Sequence, residues 1–244
     1  MAKKIYFDEK IAASYDAGSP EMFDPAVLEP TVDFLAERAG DGAALELGIG
    51  TGRVAVPLHQ RGVPVHGIEL SPAMVAKLRE KQEADTIGVT IGDFAETRVD
   101  GSFRLAYLVF NTINNLTTQD EQVACFENVA RHLEPGGCFV IEVGVPELQR
   151  LPPGETARPF SVTEDHLGFD TFDVATQGLA SHHFFRVGDH YERFSQPFRY
   201  VWPAELDLMA RIAGMRLRER WADWDRSPFT NDSRKHVSVW EKPR

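Results

Sequence analysis

The chain has 244 residues, 43% of them hydrophobic and 26% charged, enough for one large domain, or one domain with an appendage, and a sizeable core. It carries 26 Lys and Arg against 37 Asp and Glu, a net charge of −11, which excludes a generic electrostatic footprint for nucleic acid or an anionic membrane surface. Two cysteines, Cys125 and Cys138, form neither a disulfide framework nor a metal-ligand spacing, which suits a reducing cytosol. No apolar run of signal-peptide length follows Met1, and none reaches the ~18 residues of a membrane span, so a cytoplasmic protein without a membrane partner is expected.

In chain order, Asp24-Pro25 opens a helical segment with Leu28, Val32 and Leu35 on one side, interrupted or kinked at Pro30. Ala43 to Leu47 is a short apolar run ending in glycines, hence a strand; Gly52 to Arg61 reads as a helix stopped by Gly62. Val63 to Ile68 is a second strand, and Ser71-Pro72 caps a helix running to about Gln82. Ile87 to Ile91 and Leu105 to Phe110 are the third and fourth strands. Thr118 to Glu121 form a capping box ahead of an amphipathic helix with Val123, Phe126, Ala130 and Leu133 on one face, ended by Pro135-Gly136-Gly137. Cys138 to Val143 is the fifth strand. Strands separated by helices predict a parallel sheet with helices on both faces.

After Val143 the pattern changes. Pro146, Pro152, Pro153 and Gly154 mark a long connection. Residues 167–202 then read as antiparallel strands with turns at Gly178 and Gly188-Asp189, the last strand presenting Phe194, Phe198, Tyr200 and Trp202 on one face. Pro203 opens a helix with Leu206, Met209 and Ala213 inward, closed by Gly214. Two strands, near Met215–Trp224 and His236–Trp240, complete the sheet.

The chemistry is carried by Glu46-Leu47-Gly48-Ile49-Gly50-Thr51-Gly52, where a strand feeds a glycine-rich turn that opens a helix. Such a turn lets backbone approach a ligand, at the strand end that borders the crevice of an open α/β sheet. Glu69 ends the second strand 21 residues beyond Gly48, where a carboxylate can accept from both hydroxyls of a ribose. Gly92-Asp93-Phe94 after the third strand and Phe110-Asn111 after the fourth border the same crevice.

These motifs resemble the class I S-adenosylmethionine-dependent methyltransferases, over roughly residues 5–143 by motif and 203–242 by topology. The resemblance implies a Rossmann-like, seven-stranded, mostly parallel sheet with a final antiparallel strand, and S-adenosylmethionine as cofactor. It further implies that Gly48, Gly50 and Gly52 cradle the methionine moiety, Glu69 holds the ribose, Asp93 and Phe94 hold the adenine, and the backbone of Asn111 meets the amino group. Glu46, Leu70 and Phe110 complete the implied cofactor set, and Tyr15 matches a tyrosine that covers the cofactor. The antiparallel insertion is similar in arrangement to small-molecule methyltransferases such as amino-sugar N,N-dimethyltransferases. The domain division that follows is 1–40 as a helical cap, 41–145 with 203–244 as the cofactor domain, and 146–202 as a cover that supplies the acceptor site.

Three other readings compete. A nicotinamide-dependent oxidoreductase wants a small third residue in its glycine fingerprint, and Arg53 stands there. A non-catalytic cofactor-binding module is compatible with the motifs. A nucleic-acid methyltransferase is opposed by the charge and by Asn111-Thr112-Ile113-Asn114, which lacks the Asn/Asp-Pro-Pro-aromatic signature of enzymes that methylate adenine amines. The preferred reading is methyl transfer to an N or O nucleophile of a small molecule, a sugar or natural-product intermediate, with a homodimer as a possible assembly.

Tyr15 and Phe110 are candidates to face the sulfonium with an aromatic ring. Where the nucleophile carries a proton, His182 and His183 are the candidate bases. Strand neighbours point to opposite faces, so at most one of the two reaches the cofactor. Asp170 and Asp173 are lesser candidates, His66 is read as structural, and no metal cluster is expected.

Overall fold

The computed structural model describes residues 5–244. Its central strand, β1 (Ala44–Leu47), is buried at all four positions. It lies between β2 (Val65–Glu69) and β4 (Phe103–Leu108), both parallel to it. Beyond β2 lies β3 (Gly88–Ile91); beyond β4 lie β5 (Leu133–Gly144), β11 (Lys235–Glu241) and β10 (Arg216–Trp221). This gives seven strands in the order β10-β11-β5-β4-β1-β2-β3, with β11 antiparallel to both neighbours. The strand order reverses between β1 and β4, and a ligand crevice opens at such a switch point beyond the strands' carboxyl ends.

The sheet separates two apolar layers by simple alternation. Leu45, Leu47, Ala106 and Leu108 belong to one cluster; Ala44, Leu105 and Tyr107 belong to the other. On the first side Phe126 of α5 (Gln119–His132) packs edge-on against Phe139 at 5.0 Å and Trp240 at 5.5 Å. On the second side Leu35 of α2 (Pro25–Ala39) and Leu58 of α3 (Ala55–Gln60) are fully buried. The remaining helices are α1 (Glu9–Ser14), α4 (Pro72–Arg79) and α6 (Pro203–Ile212).

The predicted caps form. The Ser71 hydroxyl accepts the Met74 N–H at 3.2 Å, and Thr118 and Glu121 close a reciprocal capping box. Several boundaries differ from expectation. α2 runs unbroken through Pro30, held at its start by Asp24 accepting from Ala26. α5 ends at His132, and Leu133 already belongs to β5. Pro135-Gly136-Gly137 therefore lie inside a strand, where Gly136 takes φ +81° at a register shift against β4.

The insertion is a separate four-stranded antiparallel sheet: β6 (Ala157–Val162), β7 (His166–Asp173), β8 (Gly178–Val187) and β9 (His190–Arg199), in that order. β6 falls where the sequence reads as a connection. It is an edge strand with a register shift between Pro159 and Ser161, the place where a sheet tolerates proline. β9 stops at Arg199, so Tyr200 and Trp202 lie beyond it and meet edge-on at 6.4 Å.

The insertion is tied down by a buried polar network. Arg199, 4% exposed, pairs with Glu205 at 2.7 Å and donates to Gln122. Gln177 and Gln119 also donate to Glu205. These bonds join β9 to α5 and α6 and set the antiparallel sheet against the crevice.

Candidate functional site

The site is built on the turn that leaves β1. Gly48 has φ +71°, and a Cβ on it would lie 2.8 Å from Thr112 Cγ2. At Gly52 (φ +77°) a Cβ would lie 2.2 Å from Leu78 Cδ1, so this glycine serves the packing of the turn on α4. Gly48 and Gly50 line a cavity of about 670 Å³; Gly52 does not.

Glu69, at the end of β2, is the acid of the cavity. Its Oε2 accepts the Gly50 N–H at 2.8 Å and its Oε1 accepts the Ser71 N–H at 2.9 Å. Burial raises its pKa, and the backbone bonds from Ser71, Gly50 and Leu70 oppose that rise. A carboxylate has about four acceptor positions, so both oxygens retain capacity for the vicinal hydroxyls of a ribose. Leu70, Asp93 and Phe94 line the cavity beside it. Asp93 Oδ1 accepts the Ala95 N–H at 3.0 Å, which fixes the carboxylate at the turn after β3.

The turn after β4 is strained. Phe110 and Asn111 take φ +55° and +61° in succession, a conformation that costs a bulky residue about 1–3 kcal/mol. Glu142 on β5 holds it: Oε2 accepts the Phe110 N–H at 3.1 Å, while Asn111 Oδ1 accepts the Gly144 N–H at 2.7 Å. Phe110 stays 44% exposed and lines the cavity with Asn111.

The N-terminal segment forms another wall. The Ser71 hydroxyl donates to the Phe7 carbonyl, and Thr51 Oγ1 donates to Asp16 at 2.6 Å, with Lys81 paired to Asp16 at 2.8 Å. Tyr15 lines the cavity and meets Phe7 edge-on at 5.8 Å, its phenol pKa raised by burial. Residues 1–4 of the expected cap lie outside the described residues.

The antiparallel sheet supplies His183, Gln196 and Phe198 to the same cavity. Gln196 Nε2 donates to Asn115 Oδ1 at 3.0 Å, and Glu192 pairs with Lys10 of α1 at 2.7 Å. His182 points to the other face, where Nδ1 meets Ser195 at 2.9 Å and Nε2 meets Thr171 at 3.2 Å. The strand period keeps the two histidines on opposite faces, and the docking of the sheet puts His183 on the cavity side.

Of the expected residues, then, Tyr15, Gly48, Gly50, Glu69, Leu70, Asp93, Phe94, Phe110, Asn111 and His183 meet around one cavity. Glu46, Gly52 and His182 do not line it. Glu46 is 3% exposed on β1, where Tyr107 donates to its Oε2 at 2.9 Å. Every position of β1 is buried, so this side chain lies in the core beside Tyr107 and not in the cavity. Burial pushes its pKa up to about 8, against that bond and the Arg53 charge.

One residue that shapes the site carries no motif label. Glu142 holds the Phe110 turn, and only the pairing of β5 with β4 brings it there. Arg53, directly after the glycine turn, lies 5.5 Å from the Phe110 ring centroid and donates to the Met22 carbonyl at 3.4 Å; it lines a second cavity with Glu142 and not the one around Gly48.

A glycine cradle that a Cβ would fill, a buried carboxylate with acceptor capacity left, and a fixed acid at the third strand match an adenosyl cofactor. Fold and site thus define a nucleoside-cofactor-binding α/β enzyme. The chain matches the methyltransferase-domain family over residues 44–137. It is 36% identical to the CcbJ methyltransferase from Streptomyces caelestis, with all of both chains covered and a TM-score of 0.86. It is 27% identical to a cypemycin N-terminal methyltransferase of a Streptomyces species, over 99% of this chain and all of that one. An amino pentose methyltransferase of Micromonospora echinaspora, solved with S-adenosylmethionine bound, is 22% identical with a TM-score of 0.69, covering 99% of this chain and all of that one. The chain belongs to the class I S-adenosylmethionine-dependent methyltransferases, and S-adenosylmethionine is its cofactor. Among the described residues no helix is long and apolar enough to cross a membrane.

Proposed function

We propose that this enzyme methylates a nitrogen, or an oxygen, of a small sugar or natural-product intermediate bound beneath the antiparallel sheet. The observation that carries the reading is the shared cavity: His183 and Gln196 line it together with Gly48, Gly50 and Glu69. Two relatives named for an amino pentose and for the cypemycin N-terminus favour nitrogen. In this reading 41–145 with 203–244 form the cofactor domain, 146–202 the cover, and the segment up to residue 40 the cap.

When bound, the cofactor supplies an electrophilic methyl group on a sulfonium. Glu69 holds the ribose with its remaining acceptor positions, Asp93 and Phe94 hold the adenine, and Leu70 lines the same cavity. The Gly48 turn and the Asn111 backbone bind the methionine end. Tyr15 and Phe110 offer ring faces to positive charge. Glu46 and Gly52 support the loop from behind. Alignment of the acceptor is the main contribution, up to ~7–11 kcal/mol in ideal cases.

His183 takes the N–H or O–H proton at Nε2. Burial, then the neighbouring His166 and His182, lower its pKa, so at neutral pH it stands as the free base. A net charge of −11 argues against a nucleic-acid partner and agrees with a small acceptor. The test is calorimetry with S-adenosylmethionine, its demethylated product and NAD, followed by an acceptor screen that reads release of the demethylated product. Binding of NAD alone, or no turnover with any amine- or hydroxyl-bearing sugar or peptide, sinks the reading.

A further inference from the structure

His183 has two ring nitrogens and two unequal polar neighbours. Nδ1 lies 3.0 Å from Nε2 of His166, within ordinary hydrogen-bond range. Nε2 lies 3.4 Å from Ser181 Oγ, beyond that range, and the Ser181 hydroxyl donates its hydrogen to Asp170 at 2.7 Å. Ser181 therefore has no proton to give His183, and Nε2 has no firm acceptor there. A proton on Nδ1, donated to His166, uses the short contact and leaves the Nε2 lone pair free. His166 is itself held: its ring stacks on Phe185 at 4.5 Å and lies within 3° of the His183 plane, on the same sheet face. Asp170 and Arg158 on the neighbouring strands and His182 on the opposite face are the other titratable groups around this pair.

We propose that His166 is the positioning residue of the active site: its Nε2 accepts the Nδ1–H of His183, fixes the tautomer with a bare Nε2, and holds the imidazolium that forms when that nitrogen takes the acceptor's proton. The proton balance closes on the pair. The acceptor's N–H or O–H bond breaks, Nε2–H forms, and Nδ1–H stays bonded to His166. This is the base-and-orienter arrangement that activates nucleophiles elsewhere, with an imidazole as third group. It rests on the reading of His183 as base.

The test needs no acceptor. In histidine-labelled protein saturated with S-adenosylhomocysteine, nitrogen NMR above the ordinary histidine pKa of about 6.5 reports which ring nitrogen of His183 carries hydrogen. The expected result is hydrogen on Nδ1 in the wild type. His166→Gln, whose amide oxygen can still accept, should keep that form. His166→Phe, which keeps the stacking on Phe185 but not the acceptor, should lose it. Hydrogen on Nε2 in the wild type, or an unchanged tautomer in His166→Phe, overturns the inference. Calorimetry with S-adenosylhomocysteine on the same samples separates the two failures. Intact affinity with the wrong tautomer removes only His166, whereas absent affinity removes the methyl-transfer reading itself.

Discussion

Oε2 of Glu69 accepts the N–H of Gly50 over 2.8 Å, although the two residues belong to different strand-to-helix turns. One carboxylate thereby stitches the first and second turns of the sheet together, with Oε1 capping its own turn at Ser71. A ribose bound at Glu69 is consequently held against a loop whose shape the same residue maintains.

Glu69→Ala should weaken binding of S-adenosylmethionine by roughly 1.5–3 kcal/mol or more, the scale of charge-assisted bonds. Calorimetry measures it directly. An unchanged dissociation constant would remove Glu69 from the ribose role.

Glu46 sets an alkaline limit on stability. Its folded pKa, pushed up to about 8 mainly by burial, stands above the ordinary 4.5. Its contribution is therefore full below about 4.5 and is lost as pH rises through 8. Melting temperature followed between these limits should fall in the wild type and fall less in Glu46→Gln, which cannot ionise. Parallel curves for the two proteins would contradict the assignment.

His183 and His182 should separate cleanly. With an acceptor found by screening, His183→Ala should lower turnover by ~10²-fold or more while cofactor binding persists, the range for loss of a general base. His182→Ala should retain turnover, since its ring faces away from the cavity. Because the His183 pKa is lowered, wild-type turnover should hold at pH values below those at which an ordinary histidine protonates. Full turnover in His183→Ala would leave catalysis to alignment of an already neutral nucleophile.

Arg199 should matter for the cover. Burial alone would raise the Glu205 carboxyl, yet bonds from Arg199, Gln177 and Gln119 hold it below its ordinary value. A depressed folded pKa contributes stability above the unfolded value and loses it as pH falls. Arg199→Ala leaves Glu205 only its amide partners Gln177 and Gln119 and should cost up to about 3–5 kcal/mol, the range for breaking a buried pair from one side. Hydrogen exchange over residues 157–199 should rise in the variant. Unaltered protection there would show that other contacts secure the sheet.

The sequence by itself determined the α/β alternation, the caps at Ser71 and Thr118, and the corner of the cavity where Gly48, Gly50, Glu69 and Asp93 meet. Those signals are local: a turn needs its glycine, a helix its cap, and a strand end its acid within a short stretch of chain. Boundaries that depend on partners were not legible. β6 became a strand only because β7 offered it an edge, and Leu133 joined β5 because β4 lay alongside. The site beyond the cofactor was decided by the tertiary structure alone. Sequence alternation established that His182 and His183 face opposite ways, but which way was inward depended on how β9 docks through Gln196 and Arg199. Glu142 and His166 act across strand pairings that no spacing announces, because a pairing's register is a property of the folded sheet and not of either strand.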